Sequence, residues 1–430
     1  MIINYNFINN KLIYEFICEK EFGDKKNYTN ISNNREISLN QNHCYFIIPE
    51  ILNNIHPDLI ALSGILLIYP FVGKRVILNF SISKKFYDLF NRCNIELICN
   101  NEFCEERKIN NSKSVPSISY SSGIDSTASL LFLPKSTIII FMDRIAPIGD
   151  KSNYNRDNIY HTLDNFISIG YTTVLVKSDM EFIRKPIGFP TDIACGIPNI
   201  LLADLYNIDS IAYGYCNHHA EFLENGKKID YICTGDLQLK VNKKKKNNLN
   251  NYYFWKELFE SVSLNLNFNT MGITEIFTLI LIDKSPLTGI ISCMRGKTIG
   301  KQCMKCFKCF KAEAVRIVSN KKNLNNSDFE YLLNIIKEEI EKPRYNKNLN
   351  TIMDIKKIEA ILLFITYFHI GNHPIANILR KYYEPYLKKF KNLNKFNEYA
   401  LEFSYKKYKN IIINNMNQLD SIINNFNNHK

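Results

Sequence analysis

The sequence predicts an α/β protein built on a doubly wound parallel sheet, with a small α+β domain before it and a helical module after it. Three observations predict this. From Ser117 onward, short apolar runs alternate with helical stretches through glycine-bearing turns, the rhythm of parallel strands joined by crossover helices. Residues 1–112 alternate short strand-like runs with one or two helices, and beyond Cys309 apolar residues recur at three-to-four spacing. A length of 430 residues accommodates two or three such units. The expected divisions are 1–112, 113–320 and 321–430.

In the first unit, Val76 to Phe80 and Ile95 to Cys99 read as strands and Ser83 to Cys93 as a helix. Nothing in it has catalytic spacing, and His43, Cys44, Cys93, Cys99 and Cys104 read as structural. The 15 residues Leu59 to Gly73 are the most apolar stretch, but Pro70 breaks them and they are too short to cross a bilayer. No membrane segment is expected. In the second unit, the strands are Ser117 to Ser121, Ser136 to Met142, Thr172 to Lys177 and Ser210 to Tyr215. The helices lie near Ser126 to Phe132, Asn155 to Ile169 and Ile193 to Tyr206. Ligands of such sheets bind beyond the carboxyl ends of the strands, so the loops after these four strands are where chemistry is expected. Lys240 to Tyr252, with Lys243 to Lys246, reads as a solvated insertion or a phosphate-gripping loop. Helices are then expected over Asn326 to Lys342, Met353 to Gly371, Pro374 to Phe390 and Asn394 to Met416.

Apolar residues at 46% and charged residues at 22% exclude a disordered tail. The net charge of +12 is concentrated at the C-terminus, where residues 301–430 hold 23 basic and 12 acidic side chains. That bias suits RNA or an anionic substrate, although a lysine-rich composition alone produces it. The 12 cysteines come without a secretory leader, so a cytoplasmic protein is expected, in which clustered cysteines bind metal rather than pair as disulfides.

The strand Ser117-Ile-Ser-Tyr120 runs into Ser121-Ser122-Gly123-Ile124-Asp125-Ser126-Thr127 and then an apolar helix. Small residues at a strand-to-helix turn let successive backbone amides and the helix dipole face one anion, with Ser121, Ser126 and Thr127 adding hydroxyls. The plain alternative is a helix cap. The Walker and GxGxxG patterns are absent. The segment resembles the Ser-Gly-Gly-x-Asp-Ser pyrophosphate loop (PP-loop) of the N-type ATP pyrophosphatases, which include GMP synthetase, NAD synthetase, asparagine synthetase and tRNA-thiolating enzymes. Ser121, Gly123, Asp125 and Ser126 match, and Ser122 replaces the first glycine. The resemblance implies a Rossmann-like, adenine nucleotide alpha hydrolase-like fold. It also implies binding of ATP with Mg²⁺, and attack on the α-phosphorus with release of pyrophosphate. Asp143 and Arg144 stand where that family lines its nucleotide pocket, unless they form an ordinary ion pair.

Cys293, Cys303, Cys306 and Cys309 have the spacing C-x9-C-x2-C-x2-C, which closes a tetrahedron around Zn²⁺. Four sulfurs leave no open position, so the zinc is expected to be structural; redox or thiol-transfer chemistry and an iron–sulfur cluster are the alternatives. A pyrophosphate loop followed about 170 residues later by this knuckle resembles the 7-cyano-7-deazaguanine synthase family over residues 115–315. The chain looks like an enlarged relative, similar to components of antiphage operons. The resemblance implies an ATP-dependent carbon–nitrogen ligase activating a 7-deazapurine carboxylate for amide or nitrile formation, or for transfer to a protein amine of an operon partner.

Ser178 to Asp192 is a binding loop by position. Asp179 is expected to read ring N–H donors, Arg184 to grip an acidic group, Gly188 with Pro190 to fix the turn, Phe189 to stack on a base, and Thr191 or Asp192 to cap the next helix. A salt-bridged loop with Phe189 in the core is the alternative. After the fourth strand, Gly214 allows close backbone approach and His218 offers a polar contact; Cys195 and Cys216 are reactive thiols or buried packing. Together these residues predict catalysis by Ser121, Asp125, Ser126 and Arg184. A tRNA-modifying, sulfur-transferring enzyme and a non-catalytic nucleotide-binding partner are the rival expectations.

Overall fold

A computed structural model describes residues 1–30, 35–49, 55–147, 155–216, 231–232, 239–245, 249–285, 293, 295–340, 359–387 and 396–417. The chain begins with β1 (Ile2–Ile8), β2 (Lys11–Ile17), β3 (Asn27–Asn30), β4 (Arg35–Leu39), β5 (His43–Ile47), α1 (Pro57–Ile68), β6 (Arg75–Leu78), α2 (Lys84–Phe90) and β7 (Glu96–Ile98). The central region continues with β8 (Val115–Tyr120), α3 (Ile124–Leu131), β9 (Ile138–Arg144), α4 (Arg156–Ser168), β10 (Thr173–Ser178), β11 (Arg184–Lys185), α5 (Ile197–Leu201) and β12 (Ile208–Tyr213). Then follow β13 (Tyr231–Ile232), β14 (Leu239–Lys240), α6 (Tyr252–Ser261), β15 (Asn265–Asn267), α7 (Glu275–Lys284), α8 (Phe307–Lys321) and α9 (Asn326–Ile340).

The protein is α/β, with a ten-stranded, mostly parallel sheet in the order β15-β12-β8-β9-β10-β5-β2-β1-β6-β7. The run from β15 to β10 is parallel throughout. From β8 the chain moves outward through β9 to β10, then returns to place β12 on the other side of β8. The order therefore switches between β8 and β12. Side chains alternate along each strand: Ile138, Ile140 and Met142 share a core with α1, α5 and α6, while Ile139 and Phe141 pack with Leu130 of α3 and Ile159, Leu163 and Phe166 of α4. Helices cover both faces, and each fully buried Ile or Phe contributes roughly 1.5–3 kcal/mol. Among the described residues, no helix is long and apolar enough to cross a membrane.

The sheet does not stop near residue 112. β10 pairs antiparallel with β5 through Lys177↔Ile47 and Ser178↔Phe46, and the N-terminal strands extend it from there. Without β5, β10 would be an edge with a row of unpaired amides and carbonyls. β11 joins β4 and β3 in a second, three-stranded sheet, so the N-terminal region also holds the loop after β10.

Behind the sheet, α7, α8, α9 and the helices Glu359–Phe368 and Pro374–Tyr383 enclose a separate core that includes Phe277, Cys293, Cys306, Cys309 and Phe310. The continuous helix expected over Asn394 to Met416 is instead two 3₁₀ turns, Glu398–Phe403 and Lys406–Tyr408, before a helix over 409–417. The break has a local cause: the Phe403 carbonyl accepts from Phe268 N at 3.0 Å, and Tyr405 N donates to Asn267 Oδ1 at 3.2 Å, which draws this backbone onto the end of β15. The next residues close on Asp209 of β12, which is 1% exposed. Lys407 Nζ lies 2.6 Å from its carboxylate, and Tyr408 Oη donates to it at 2.9 Å. Part of the C-terminal basic charge is thus spent inside the fold.

Candidate functional site

β8 ends at Tyr120, and the turn into α3 places Ser122 at φ +60°, the left-handed region that costs an L-residue about 1–2 kcal/mol. This is the position where a serine stands in place of glycine. Gly123 is the N-cap of α3 and offers no side-chain cap, so the first amides of that helix face outward unclaimed by a side chain. Ser126 Oγ and Thr127 Oγ1 both donate to the Gly123 carbonyl, at 3.0 and 2.9 Å, and fix the turn. Ser121 Oγ lies 3.1 Å from Ser126 Oγ. Gly214, just past β12, lets the turn sit this low: a Cβ there would stand 2.3 Å from Ser126 N.

Two cavities meet at Ser121 and Gly214. The larger, about 260 Å³, lies at the strand-order switch and is walled by Arg144, Phe189, Asp192, Cys195 and Tyr215. The Arg144 guanidinium sits 5.2 Å over the Phe189 ring and pairs with Glu181 at 3.3 Å. Tyr213 and Phe268 stack behind Tyr215 with ring centroids 5.7 and 5.2 Å apart in succession. The smaller cavity, about 110 Å³, is walled by Asp125, Glu275, Lys308 and Lys311 beside Gly123 and Ile124. Thr278 Oγ1 donates to Asp125 Oδ1 at 2.8 Å, and Lys311 pairs with Glu275. Burial opposes the charge of Lys311, but Glu275 and then Asp125 outweigh it and raise its pKa.

Of the residues singled out in the sequence, Ser121, Gly123, Ile124, Asp125, Ser126, Arg144, Phe189, Asp192 and Gly214 come together around these cavities. Others do not. Ser122 and Thr127 are buried, and Thr127 Oγ1 also meets the Tyr120 hydroxyl at 2.9 Å. Asp143 is turned away: Arg156 Nε donates to it at 3.0 Å and Tyr160 Oη at 2.9 Å, making it the buried half of an ion pair. Asp179 accepts from Tyr45 N at 2.9 Å and ties β10 to β5; burial raises its pKa. Arg184 is 7% exposed and is not among the residues lining the larger cavity; it lies against Gly188, where a Cβ would stand 2.2 Å from its guanidinium. Its place at the wall is taken by Arg144. His218 and its neighbour Asn217 lie outside the described residues.

Lys311, Glu275, Thr278 and Tyr215 are wall or support residues that the sequence reading did not assign, and Lys308, which by its place in the knuckle is expected to offset thiolate charge, lines the smaller cavity as well. A signal existed for the lysines: they are three apart at the start of a helix and so share a face. Cys195 lines the larger cavity, but burial raises its pKa, and burial followed by Asp125 and Glu275 raises that of Cys216 further. Neither is a ready thiolate.

Cys293 Sγ lies 3.3 Å from Cys303 Sγ and 3.7 Å from Cys306 Sγ, and Cys309 Sγ lies 3.7 and 3.6 Å from those of Cys303 and Cys306. A tetrahedron with metal–sulfur bonds of about 2.3 Å has edges of about 3.8 Å. The four cysteines therefore fit a metal ion such as zinc. Buried Asn158 of α4 holds the long loop between the first two: its Nδ2 donates to Gly296 O at 2.9 Å and its Oδ1 accepts from Gly300 N at 2.8 Å. No curated protein and no solved structure matches the chain. Residues 254–426, from α6 through the cysteine centre to the C-terminal helices, match a family of unknown function (DUF6395).

Proposed function

We propose that the protein is an ATP-dependent, adenylate-forming ligase with the Rossmann-like fold of the PP-loop ATP pyrophosphatases, which activates a carboxylate, a 7-deazapurine being the leading candidate. One observation carries the reading: the turn 121–127 lies at the switch in strand order, between an aromatic-walled cavity and a small one lined by lysines. The amides of Ile124 and Asp125 and the hydroxyl of Ser121 hold the pyrophosphate of ATP, with Ser126 fixing the turn, where fixed dipoles stabilise the charge that gathers as it leaves. Phe189 and Tyr215 stack on planar rings, and Arg144 takes the substrate carboxylate, the part first assigned to Arg184. Asp125, steadied by Thr278, offers a carboxylate oxygen to Mg²⁺, which neutralises phosphate charge when bound. The four thiolates hold zinc with no open position, a structural role. The eleven described cysteines are all free, in keeping with a reducing cytoplasm.

The acceptor is an amine: ammonia, for amide or nitrile formation, or a protein amine of an operon partner in antiviral defence. The basic C-terminal region leaves RNA as a further partner. Cys195 at the cavity wall is the feature that favours sulfur transfer to tRNA, yet its raised pKa opposes it. Pyrophosphate release by the purified protein with ATP and 7-carboxy-7-deazaguanine tests the proposal, with Asp125→Ala expected to abolish it and leave the fold intact. Release that requires tRNA and a sulfur donor transfers the assignment to the thiolating class. Nucleotide binding without turnover reduces the protein to a non-catalytic partner.

A further inference from the structure

The loop 179–192 supplies two walls of the larger cavity, Phe189 and Asp192, and the N-terminal region holds it. Asn40, in the link between β4 and β5, binds the turn Met180–Ile183 twice: its backbone N donates to Ile183 O at 2.6 Å, and its side-chain Nδ2 donates to Phe182 O at 3.0 Å. On one side of that turn Asp179 Oδ1 accepts from Tyr45 N at 2.9 Å, and on the other β11 pairs with β4 through Arg184↔Leu39 and Lys185↔Ser38. Bonds of this kind order a loop before any ligand arrives, so binding does not have to.

Glu181 stands in the middle of the turn. Its carboxylate pairs with Arg144 at 3.3 Å, the two side chains being 10% and 21% exposed. Its backbone O accepts from Gly188 N at 3.1 Å, which folds the loop back and brings the Phe189 ring under the Arg144 guanidinium. Burial raises the Glu181 pKa, and Arg144 and then Arg184 act against that, so guanidiniums from β9 and from the loop itself share one buried carboxylate. Arginine is rich in rotamers, and an anchor that fixes its fork in advance removes ordering that a substrate would otherwise have to impose.

We infer that Glu181 is a positioning residue that aims Arg144 into the larger cavity, and that the N-terminal region, through Asn40, sets where Glu181 stands. The inference rests on reading that cavity as the site of the substrate carboxylate, and it gives the N-terminal strands a share in binding the substrate.

The test is steady-state pyrophosphate release by the full chain with ATP and 7-carboxy-7-deazaguanine, in the wild type, Glu181→Ala and Asn40→Ala, together with hydrogen exchange at the Gly188 amide. KM for the carboxylate is expected to rise about tenfold in Glu181→Ala and about fivefold in Asn40→Ala, with KM for ATP as in the wild type. The Gly188 amide should exchange about fivefold faster in Asn40→Ala. Asn40 is exposed, so its variant keeps the fold even if the loss of a buried carboxylate costs Glu181→Ala its own. An unchanged carboxylate KM in either variant overturns the inference, and so does an equal rise in both KM values, which would mark general loosening. Unchanged exchange at Gly188 in Asn40→Ala removes the part given to the N-terminal region. Wild-type protein that releases no pyrophosphate takes away the ligase reading and this inference with it, whereas wild-type release with unaffected variants leaves that reading standing.

Discussion

Gly214→Ala adds one methyl group where the end of β12 touches the start of α3. The new Cβ would lie 2.3 Å from Ser126 N, 2.5 Å from Ser126 Cα and 2.6 Å from Asp125 C. All three are backbone atoms, so no rotamer change relieves the contact. Moving from 2.3 Å to the 3.4 Å at which ordinary contact begins requires the turn to retreat by about 1 Å. Overpacking of this kind costs about 1–3 kcal/mol, and a misplacement of about 1 Å in a positioning element costs about a hundredfold in rate. The variant should therefore fold at 25 °C with a lower urea midpoint and release pyrophosphate about a hundred times more slowly. Urea denaturation followed by circular dichroism gives the first quantity, and coupled pyrophosphate detection at saturating ATP gives the second. Wild-type turnover with an unchanged midpoint would show that the turn has slack, and that its contact with Gly214 does not position the reacting phosphates.

Ser122→Gly removes left-handed strain of about 1–2 kcal/mol and adds about 0.5–1 kcal/mol of unfolded-chain entropy, so stability should rise by up to about 1.5 kcal/mol with turnover retained; a lower urea midpoint contradicts this. Cys306→Ser should lose bound zinc, and its melting temperature should drop to that of chelator-treated wild type; metal analysis that finds no zinc in the wild type, or full zinc in the variant, counts against the knuckle. Asp179 has a raised folded pKa, caused first by burial, so its ionisation opposes folding as pH rises from the unfolded value of about 3.9 through the folded one. Asp179→Asn should therefore melt at or above the wild-type temperature at pH 7, with the difference shrinking toward pH 4. A variant less stable at pH 7 than at pH 4, relative to wild type, would reverse that sign.

The central strands were legible because each is a short apolar run closed by small residues, and the observed β8, β9, β10 and β12 differ from the expected runs by one or two residues at their ends. The cysteine knuckle was legible because a metal site depends on spacing along the chain, and the turn 121–127 because small residues mark the passage from β8 into α3. What spacing cannot carry is the partner that a side chain finds across the fold. Asp143 and Arg144 are neighbours in sequence, yet alternation along β9 sends one to Arg156 and the other into the cavity. Asp179 and Arg184 occupy a loop that the N-terminal strands have taken into their own sheets. β15, three residues long, leaves too little pattern to find, and Lys311 meets Glu275 only when α8 folds against α7.

The clasp on Asp209 sets an order of events during synthesis. Its counter-charge, Lys407, is 198 residues further along the chain. At about 5–20 residues per second, that cation leaves the ribosome about 10–40 s after the carboxylate does. Until then this end of the sheet either stays open to water or encloses a negative charge supported, among the described residues, by the hydroxyls of Ser114 and Ser210. Nascent chains arrested short of Lys407 should accordingly remain open to protease, and protection should arrive with the tail.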